Sequence, residues 1–248
     1  MEPVSKYTLS VTVPDRDCDF KDQLRLSALF GYLQDIAALH AKNLGASVDK
    51  LKESFDVAWI LMRLRVDILR MPKRYEVLTV ETWPQKPATL YERDYLIKNE
   101  NGEVLVKGVS VWILMNLVKR EIVKETLLDY SHIRITEERA IDCRLGKIRS
   151  DAELLPALEK KIEYSDLDRN QHVNNTKYMD YAMDSIGAAG LETQDVKQVE
   201  VNYVNETKLG ETIIISKGVS VSEKNTFYIE GTIAEDGRSA FKSKITVA

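Results

Sequence analysis

The chain carries one pattern of residues twice, and this duplication restricts the folds open to it. Residues of the first half reappear 149 positions later around a predicted helix and 135 positions later in the strands that follow. The matching pairs are Asp19/Asp168, Ser27/Thr176, Tyr32/Tyr181 and Asp35/Asp184, then Leu64/Val199, Val66/Val201, Glu76/Glu211, Gly102/Gly237 and Lys107/Lys242. A shared order with one change of offset predicts a single structural unit present twice. The first copy then holds 14 additional residues between its helix and its next strand.

Each half is predicted to contain one long helix. Apolar residues recur at helical spacing over two ranges, Leu24 to about Lys42 and Thr176 to Ala189. Ser27 is the predicted N-cap of the first helix, and Gly45 its end. Gly187 or Gly190 is predicted to close the second helix.

Strands are predicted around both helices. After the helices they cover Val57–Leu69, Tyr75–Trp83, Leu90–Lys98, Val104–Met115, Val196–Val204, Thr212–Ser220, Asn225–Ile233 and Ala240–Val247. A leading strand precedes each helix, at Tyr7–Val13 and, with a weaker pattern, at Lys161–Tyr164. Asn101-Gly102 and Asp236-Gly237 are pairs favoured in tight hairpins. One helix against a curled antiparallel sheet, formed twice, is an α+β layout, and residues 118–159 are predicted to be linker that in part continues the first sheet.

The polar loop before the second helix points to chemistry. The stretch Asp166–Thr176 reads DLDRNQHVNNT and holds one of only three histidines in the chain. A histidine among amides and carboxylates at a helix N-terminus suits acid/base catalysis. The first copy has Lys21 and Gln23 at the positions of Asn170 and His172, so we expect one active site per chain.

The residues from Asp166 to Tyr178 resemble the signature of the acyl-acyl carrier protein (acyl-ACP) thioesterases. The resemblance implies two tandem hotdog domains, each a long helix wrapped by a curled antiparallel sheet. Residues 1–150 would form the first domain with the linker and the acyl-pocket side, and residues 151–248 the catalytic domain. The implied reaction is hydrolysis of the fatty acyl-ACP thioester with release of free fatty acid, and the implied partner is the carrier protein with its phosphopantetheine-linked acyl chain.

The resemblance also implies four catalytic residues. Its Asp, Asn and His fall on Asp168, Asn170 and His172, and its Glu, in a Tyr-x-x-Glu context, falls on Glu206. Thr207 stands where plant members typically have a cysteine, and Val204 and Asn205 replace two arginines. A thiolate mechanism therefore has no support in this chain.

Several roles stay open for these residues. His172 can move protons at neutral pH. Glu206 can activate a water, the route we favour, or attack directly to give an acyl anhydride, or be only an exposed strand-end carboxylate. Asn170 can donate to the thioester carbonyl or hold the water, with backbone N–H groups of the helix start as a further oxyanion site. Asp168 can orient His172 or Asn170, although Asp19 at the matching place suggests a structural part.

The acyl pocket is expected in the first half. Its candidate lining residues, each of which could equally be ordinary core, are Leu29, Phe30, Leu33, Trp59, Leu61 and Met62.

Composition excludes other classes of protein. A net charge of −4 argues against general nucleic-acid binding. The most apolar short run, Val111–Met115, is too short to cross a bilayer, and the first residues do not form a secretory signal. Cys18 and Cys143 fit reduced thiols in the cytoplasm.

The sequence predicts no cofactor and leaves the basic surface groups and the oligomeric state open. His40 and His132 lack metal-site spacing, so neither metal nor cofactor is expected. Two basic groups, Lys119–Arg120 and the set Arg144, Lys147 and Arg149, are solvated faces or local patches for an acidic partner. Both a monomer and a homodimer remain open.

Three alternative functions remain at this stage. The first is an acyl-CoA thioesterase of the same fold, the second a hotdog hydroxyacyl dehydratase, and the third an acyl-binding module that has lost catalysis. A basic surface at the mouth of the site favours the carrier protein, and a nucleotide pocket would favour CoA.

Overall fold

The computed structural model describes residues 2–86, 88–123, 127–128, 130–131 and 133–248. The elements of the first half are β1 (Tyr7–Thr12), α1 (Leu26–Asn43), α2 (Val48–Phe55), β2 (Val57–Ile68), β3 (Val77–Pro84), β4 (Tyr91–Asn99), β5 (Val104–Asn116) and β6 (Glu121–Ile122). Those of the second half are β7 (Leu155–Lys161), α3 (Lys177–Ile186), α4 (Ala188–Leu191), β8 (Val196–Tyr203), β9 (Thr212–Val219), β10 (Thr226–Ile233) and β11 (Ser239–Val247). Short 3₁₀ turns occur at Asp15–Asp17 and Tyr164–Asp166.

All of these strands belong to one antiparallel sheet whose order is the same from either end. The order is β1-β3-β4-β5-β2-β8-β11-β10-β9-β7, with β6 paired to β5. Each half contributes five strands in mirrored succession, and the halves join where β2 pairs with β8. The predicted α+β layout of two curled sheets, each with a long helix, is confirmed.

The β2–β8 register places a local two-fold axis in the middle of the sheet. Arg65 lies opposite Glu200, and these are matching residues of the two copies at the offset of 135. Leu64 pairs with Val201, the counterpart of Val66, and Val66 pairs with Val199, the counterpart of Leu64, as a two-fold axis at Arg65 and Glu200 requires. Arg65 Nη1 lies 3.4 Å from Glu200 Oε1, which puts a charge pair across the axis.

Both long helices pack on the same face of the sheet and share one core. α1 buries Leu29, Phe30 and Leu33, and α3 buries Met179 and Ala182. These residues join apolar side chains of both halves in one continuous cluster, and α1 lies against α3. Apolar burial of this kind is the main term that stabilises the joined halves.

The start of α1 differs from the prediction. Ser27 is the second helical residue, and the N-cap is Arg25, which makes no side-chain cap bond. A capping side chain has to precede the first helical turn, so Ser27 is placed too late to serve. Instead Arg25 N–H donates to the carbonyl of Asp17, and Arg25 Nε donates to the carbonyl of Cys18.

The 14 additional residues of the first half form α2, which no sequence pattern predicted. Ser47 caps this helix by accepting a hydrogen bond from Lys50 N–H at 3.3 Å, and Asp56 ends it with a φ of 52°. Leu51 is its buried residue, and it packs in a second apolar cluster separate from the main core. In the second half, the four-residue α4 follows the long helix.

Two boundaries in the second half also differ from the prediction. The helix predicted over Thr176–Ala189 ends at Ile186, because Gly187 adopts a φ of 86° and α4 begins after it. The leading strand covers Leu155–Lys161, and Tyr164 lies in a 3₁₀ turn. This strand is mostly exposed at the sheet edge, so it lacks the apolar alternation that would reveal it. Gly102 and Gly237 have the positive φ that their turns require.

The segment before β7 crosses the sheet on the face opposite the helices. Ile141 and Leu145 pack against Val109 and Val111 of β5. Arg63 Nη1 then donates to the Leu145 carbonyl at 2.7 Å, and Ile148 N–H donates to Asn202 Oδ1 at 2.9 Å.

Because the sheet is continuous, the boundary at residues 150/151 stays a prediction. His132 lies outside the described residues, and no helix within the described ranges has the length and apolarity needed to span a membrane.

His40 near the end of α1 is fully buried beside a buried arginine. Arg93 Nη1 lies 2.9 Å from His40 Nδ1, and His40 Nε2 lies 2.8 Å from the carbonyl of Val4. Arginine can only donate, so Nδ1 accepts and the proton sits on Nε2. Burial, and then the charge of Arg93, lower the pKa of His40 to about 4, against an opposing effect of the Val4 carbonyl.

We therefore expect His40 to weaken the fold in mild acid. Its pKa is about 4 in the fold and about 6.5 in the unfolded chain, so the unfolded chain binds the proton first. Stability is lost as pH falls from 6.5 to 4, by about 3 kcal/mol from this group. Urea unfolding of His40→Gln, which keeps an acceptor for Arg93, should show a smaller loss over this range than wild type. Parallel curves for the two proteins would contradict the assignment.

Candidate active site

The Asp168 carboxylate organises the polar loop before α3. Its Oδ1 accepts hydrogen bonds from the backbone N–H of Asn170 at 2.8 Å and of His172 at 3.2 Å. Asp168 N–H in turn donates to the carbonyl of His172 at 2.8 Å. Gln171 adopts a φ of 64°, which lets the backbone reverse between Asp168 and His172. The loop therefore presents Asn170 and His172 from a fixed backbone.

The first half contains the same loop without the chemistry. Asp19 accepts from the N–H of Lys21 at 2.8 Å and of Gln23 at 3.0 Å, and Asp19 N–H donates to the Gln23 carbonyl. Asp22, at the position of Gln171, has a φ of 58°. The aspartate is thus a scaffold residue in both copies, and Asp168 is best described as a positioning residue.

A second set of backbone contacts fixes the loop to the segment that carries Glu206. Val173 N–H donates to the Thr207 carbonyl at 2.9 Å, and His172 forms a β-bridge with Lys208. The first copy repeats these contacts with Leu24, Pro72, Gln23 and Lys73. Glu206 lies three residues beyond the end of β8 rather than on the strand. This backbone arrangement brings Glu206 to the histidine.

His172 and Glu206, two of the residues predicted from the sequence, lie in contact. His172 Nε2 lies 3.5 Å from Glu206 Oε2, with the side chains 29% and 36% exposed. Both groups are therefore open to water and to a substrate. The four residues predicted from the sequence lie in one connected arrangement, and their catalytic roles stay predictions.

Asn170 presents an exposed side-chain amide from the loop. Its Nδ2 donates to Asp168 Oδ2 at 3.3 Å, and the residue is exposed. The backbone N–H groups of Asn174, Thr176 and Lys177 are all donated within the loop. These three groups are thus occupied and do not form the oxyanion site considered above. The Asn170 amide uses one of its two hydrogens on Asp168 and has the other left to donate.

Arg120 is a site residue that the sequence did not reveal. Its Nη2 lies 3.2 Å from Glu206 Oε2, although Arg120 belongs to the turn between β5 and β6 of the first half. Arg120 has a φ of 57°, which turns the chain back at that point. The only sequence signal was the basic pair with Lys119, which said nothing about a carboxylate in the other half.

Thr207, at the position of the plant cysteine, is fully buried and serves as support. Its Oγ1 accepts a hydrogen bond from the hydroxyl of Tyr178 at 3.1 Å. Burial raises the pKa of Tyr178 to about 12, so this phenol stays protonated and keeps donating. Tyr178 packs on Phe241 of β11 with ring centroids 4.9 Å apart. The pair anchors α3 beneath the loop.

The equivalent place in the first half connects the two halves. Lys21 Nζ donates to Asp195 Oδ1 at 2.8 Å and to the carbonyl of Gln194 at 2.9 Å, both just before β8. Gln23 Nε2 reaches the same Asp195 oxygen at 3.4 Å, and Met71 stands at the position of Glu206. The side chains at the positions that match Asn170 and His172 therefore connect the first half to the segment before β8.

The predicted pocket residues fall into different environments. Leu29, Phe30 and Leu33 are fully or almost fully buried in the main core. Trp59 packs at the second apolar cluster, and Met62 lies at a bulge between β2 and β5. Within the described residues, no group of three His, Cys, Asp or Glu side chains is arranged to hold a metal ion.

Comparison with protein families gives a match over most of the chain. The model of the acyl-ACP thioesterase N-terminal domain matches residues 4–128, and that of the C-terminal domain matches residues 152–246. The chloroplast oleoyl-acyl carrier protein thioesterase 2 of Arabidopsis thaliana is 26% identical over 229 residues, which are 83% of this chain and 61% of that protein. A chloroplast palmitoyl-acyl carrier protein thioesterase of Cuphea hookeriana is 31% identical over 198 residues, 73% of this chain and 47% of that protein.

The chain spans 47% to 61% of the length of these curated relatives. Solved structures match it over nearly its whole length. An acyl-ACP thioesterase from Bacteroides thetaiotaomicron superposes with a TM-score of 0.88 at 24% identity, covering 98% of both chains. The 12:0-ACP thioesterase from Umbellularia californica gives a TM-score of 0.81 at 18% identity, covering 98% of this chain and 97% of that one. At such identities the likeness shows the fold, which is the double hotdog.

The two matching loops allow the structural role of the aspartate to be measured. Asp168→Ala and Asp19→Ala each remove one carboxylate that accepts two backbone N–H groups. We expect both to lower the free energy of unfolding by a similar amount, about 1–3 kcal/mol. Urea unfolding of the two variants checks this. A large loss for Asp19→Ala with none for Asp168→Ala would contradict the equivalence of the loops.

Proposed function

Because the chain belongs to the acyl-ACP thioesterase family, we propose that it hydrolyses the thioester of fatty acyl groups carried by acyl carrier protein and releases free fatty acid. The observation that carries the proposal is the His172–Glu206 pair, with Nε2 and Oε2 3.5 Å apart. His172 stands on a loop whose first copy has the same backbone with Gln23 at the matching position, and Met71 stands at the position that matches Glu206. A histidine and a glutamate that are present in only one of two matching arrangements are better explained by chemistry than by folding.

Hydrolysis begins with a water activated by Glu206. The carboxylate takes a proton from the water, whose oxygen bonds to the thioester carbonyl carbon. Both His172 and Arg120 contact Glu206 through Oε2, so Oε1 is the oxygen available to the water. Arg120 holds the carboxylate in this orientation and thereby contributes a first-half residue to the site.

The remaining steps stabilise the tetrahedral intermediate and then break its carbon–sulfur bond. The Asn170 amide donates to the oxygen that becomes negative when the carbonyl is attacked. The carbon–sulfur bond then breaks, and His172 gives a proton to the departing sulfur. The proton taken from the water returns from Glu206 to His172 across the 3.5 Å contact. The products are a free fatty acid and the thiol of the carrier's phosphopantetheine, and the residues end as they began.

Replacing either acid/base group should abolish most turnover. We expect His172→Ala and Glu206→Gln to lower kcat by about 10² to 10⁴-fold, because each removes a proton-transfer group. The matched control is Gln23→Ala, which changes the same loop position in the first copy and should leave kcat near wild type. Release of free thiol from acyl-ACP measures all three. Unchanged hydrolysis by His172→Ala would refute the mechanism, and full activity of Glu206→Gln would mean that another carboxylate acts.

Cations next to the site support the carrier protein as the partner. Arg169 precedes Asn170, and Lys208 forms a backbone bridge with His172. Lys119 and Arg120 are exposed on the facing turn. An acidic carrier protein would be attracted to such a surface.

We propose a cytoplasmic location, which fits the two free cysteines. We propose a monomer or a homodimer, since the β2–β8 contact joins two hotdog units within one chain.

The substrate carrier can be tested by charge reversal. Wild type should show a higher kcat/KM for acyl-ACP than for the same acyl group on CoA. Arg169→Glu and Lys208→Glu should each reduce kcat/KM for acyl-ACP by up to about fivefold at low salt, because an exposed charge contributes up to about 1 kcal/mol. The control is Lys224→Glu, on the β9–β10 turn, which lies at the opposite end of β11 from Tyr203 and the Glu206 segment.

Other outcomes of the same assays separate the competing functions. Preference for acyl-CoA with no effect of the two reversals would indicate an acyl-CoA thioesterase. A trans-enoyl product from a hydroxyacyl substrate would indicate a dehydratase. Binding of acyl-ACP without turnover would indicate an acyl-binding module.

A further inference from the structure

The β5–β6 turn of the first half is built around the side chain of Asn116. Asn116 Oδ1 accepts hydrogen bonds from the backbone N–H of Lys119 at 2.8 Å and of Val118 at 3.1 Å. Arg120 N–H then donates to the Asn116 carbonyl at 2.9 Å, and Arg120 adopts a φ of 57°. Asparagine side chains that accept from backbone N–H groups a few residues later stabilise turns of this kind. The backbone of the turn up to Arg120 is thus tied to Asn116.

The same turn is also fixed to the helix inserted in the first half. Leu117 N–H donates at 2.8 Å to the carbonyl of Asp56, the left-handed residue that ends α2. At the start of α2, Asp49 Oδ1 lies 3.4 Å from Arg169 Nη1 of the polar loop before α3. Both of these side chains are exposed, so this ion pair contributes little energy. The backbone bond at Asp56 is therefore the firmer contact, and it holds the turn that carries Arg120.

The matching connection of the second half is shorter and meets the other polar loop differently. It joins α3 to β8 through α4 and ends at Asp195. Lys21 of the first polar loop donates to Asp195 Oδ1 at 2.8 Å and to the Leu191 carbonyl at 3.3 Å. The short connection thus occupies the loop that it faces. The longer connection with α2 leaves His172 and Glu206 open to water and supports the β5–β6 turn instead.

Arg120 connects this turn to the carboxylate of Glu206. Its Nη2 lies 3.2 Å from Glu206 Oε2, the same oxygen that His172 Nε2 approaches to 3.5 Å. The Arg120 side chain is 63% exposed. An exposed ion pair alone fixes little, because a long side chain loses rotamer entropy when it is held in one place. The position of the guanidinium therefore depends on how firmly the turn holds the backbone of Arg120.

We propose that Asn116 is a positioning residue of the active site, which acts through the β5–β6 turn and Arg120 to keep Glu206 oriented toward the attacking water. The inference rests on the proposed thioesterase function and gives the inserted helix a role in it, since the end of α2 and Asn116 fix the turn together. Without the Asn116 side chain the turn samples more conformations, and Glu206 Oε1 faces the water less often. A misplacement of about 1 Å can lower a rate by about 100-fold.

Steady-state hydrolysis of acyl-ACP by Asn116→Ala tests this role. We expect kcat to fall by about tenfold while KM stays within about twofold of wild type, because the orientation of Glu206 changes and the binding surface does not. Asn116→Asp keeps Oδ1 as the acceptor for both backbone N–H groups and should retain most of kcat.

The β4–β5 turn of the same half provides the matched control. Asn99 Oδ1 accepts from the backbone N–H of Asn101 and of Glu103, both at 3.0 Å. Asn99→Ala therefore removes the same kind of support from a turn that does not carry Arg120. It should lower the urea midpoint about as much as Asn116→Ala does and leave kcat near wild type.

A double-mutant cycle shows whether Asn116 acts through Arg120. Arg120→Ala should lower kcat by about 10- to 100-fold. Adding Asn116→Ala to it should lower kcat little further, because the side chain that the turn presents is already gone. Guanidinium chloride at millimolar concentration should restore part of the kcat of Arg120→Ala, and sodium chloride of equal ionic strength should not. Independent, multiplying effects of the two substitutions would overturn the inference.

Two readouts separate failure of the inference from failure of the proposed function. If Glu206→Gln loses activity while Asn116→Ala keeps the kcat of Asn99→Ala, the inference is overturned and the thioesterase function stands. The second readout is the NMR signal of the Arg120 Nε–H, which should move in Asn116→Ala and in Glu206→Gln but not in Asn99→Ala. These shifts without hydrolysis of acyl-ACP by wild type would support the positioning and overturn the function. A signal that Asn116→Ala leaves unchanged would overturn the inference.

Discussion

The ladder between β2 and β8 is the contact on which the rest of the structure depends. It converts two curled sheets into one, and the two long helices then share a single core. It also brings the β5–β6 turn of the first half to the segment after β8, where Arg120 reaches Glu206. Without this pairing His172 and Glu206 would remain together, but Arg120 would not reach Glu206. The site is therefore a product of both halves.

The two copies of the polar loop separate what folding requires from what catalysis requires. An aspartate that accepts two backbone N–H groups is present in both, so Asp168 is needed for the shape of the loop. The two side chains displayed by that shape differ. Asn170 and His172 are the candidate catalytic side chains in one copy, while Lys21 and Gln23 bind Asp195 in the other. One loop geometry thus carries the candidate site in the second half and a contact between the halves in the first.

Much of this arrangement could be predicted because it is local in the sequence. The strands, the hairpin glycines and the loop residues follow from spacing and from the internal repeat. The contact of Arg120 could not be predicted, since it depends on how two distant turns meet. Helix α2 is short, with Leu51 as its one buried residue, so its apolar pattern is faint. β7 is an exposed edge strand with little alternation. The contact between Arg93 and His40 was not predicted either, because these residues are far apart in the chain and come together only on folding.

The charge pair at the two-fold axis has a consequence for which surfaces recognise each other. A residue beside the axis of a homodimer faces its own copy, so an arginine there would meet an arginine, and like charges directly opposite in a sheet are destabilising. In this chain the position is filled by Arg65 on one side and Glu200 on the other. The edge of each half therefore prefers the other half to a duplicate of itself. The charge pair thus disfavours a sheet in which a half is paired with a second copy of that same half.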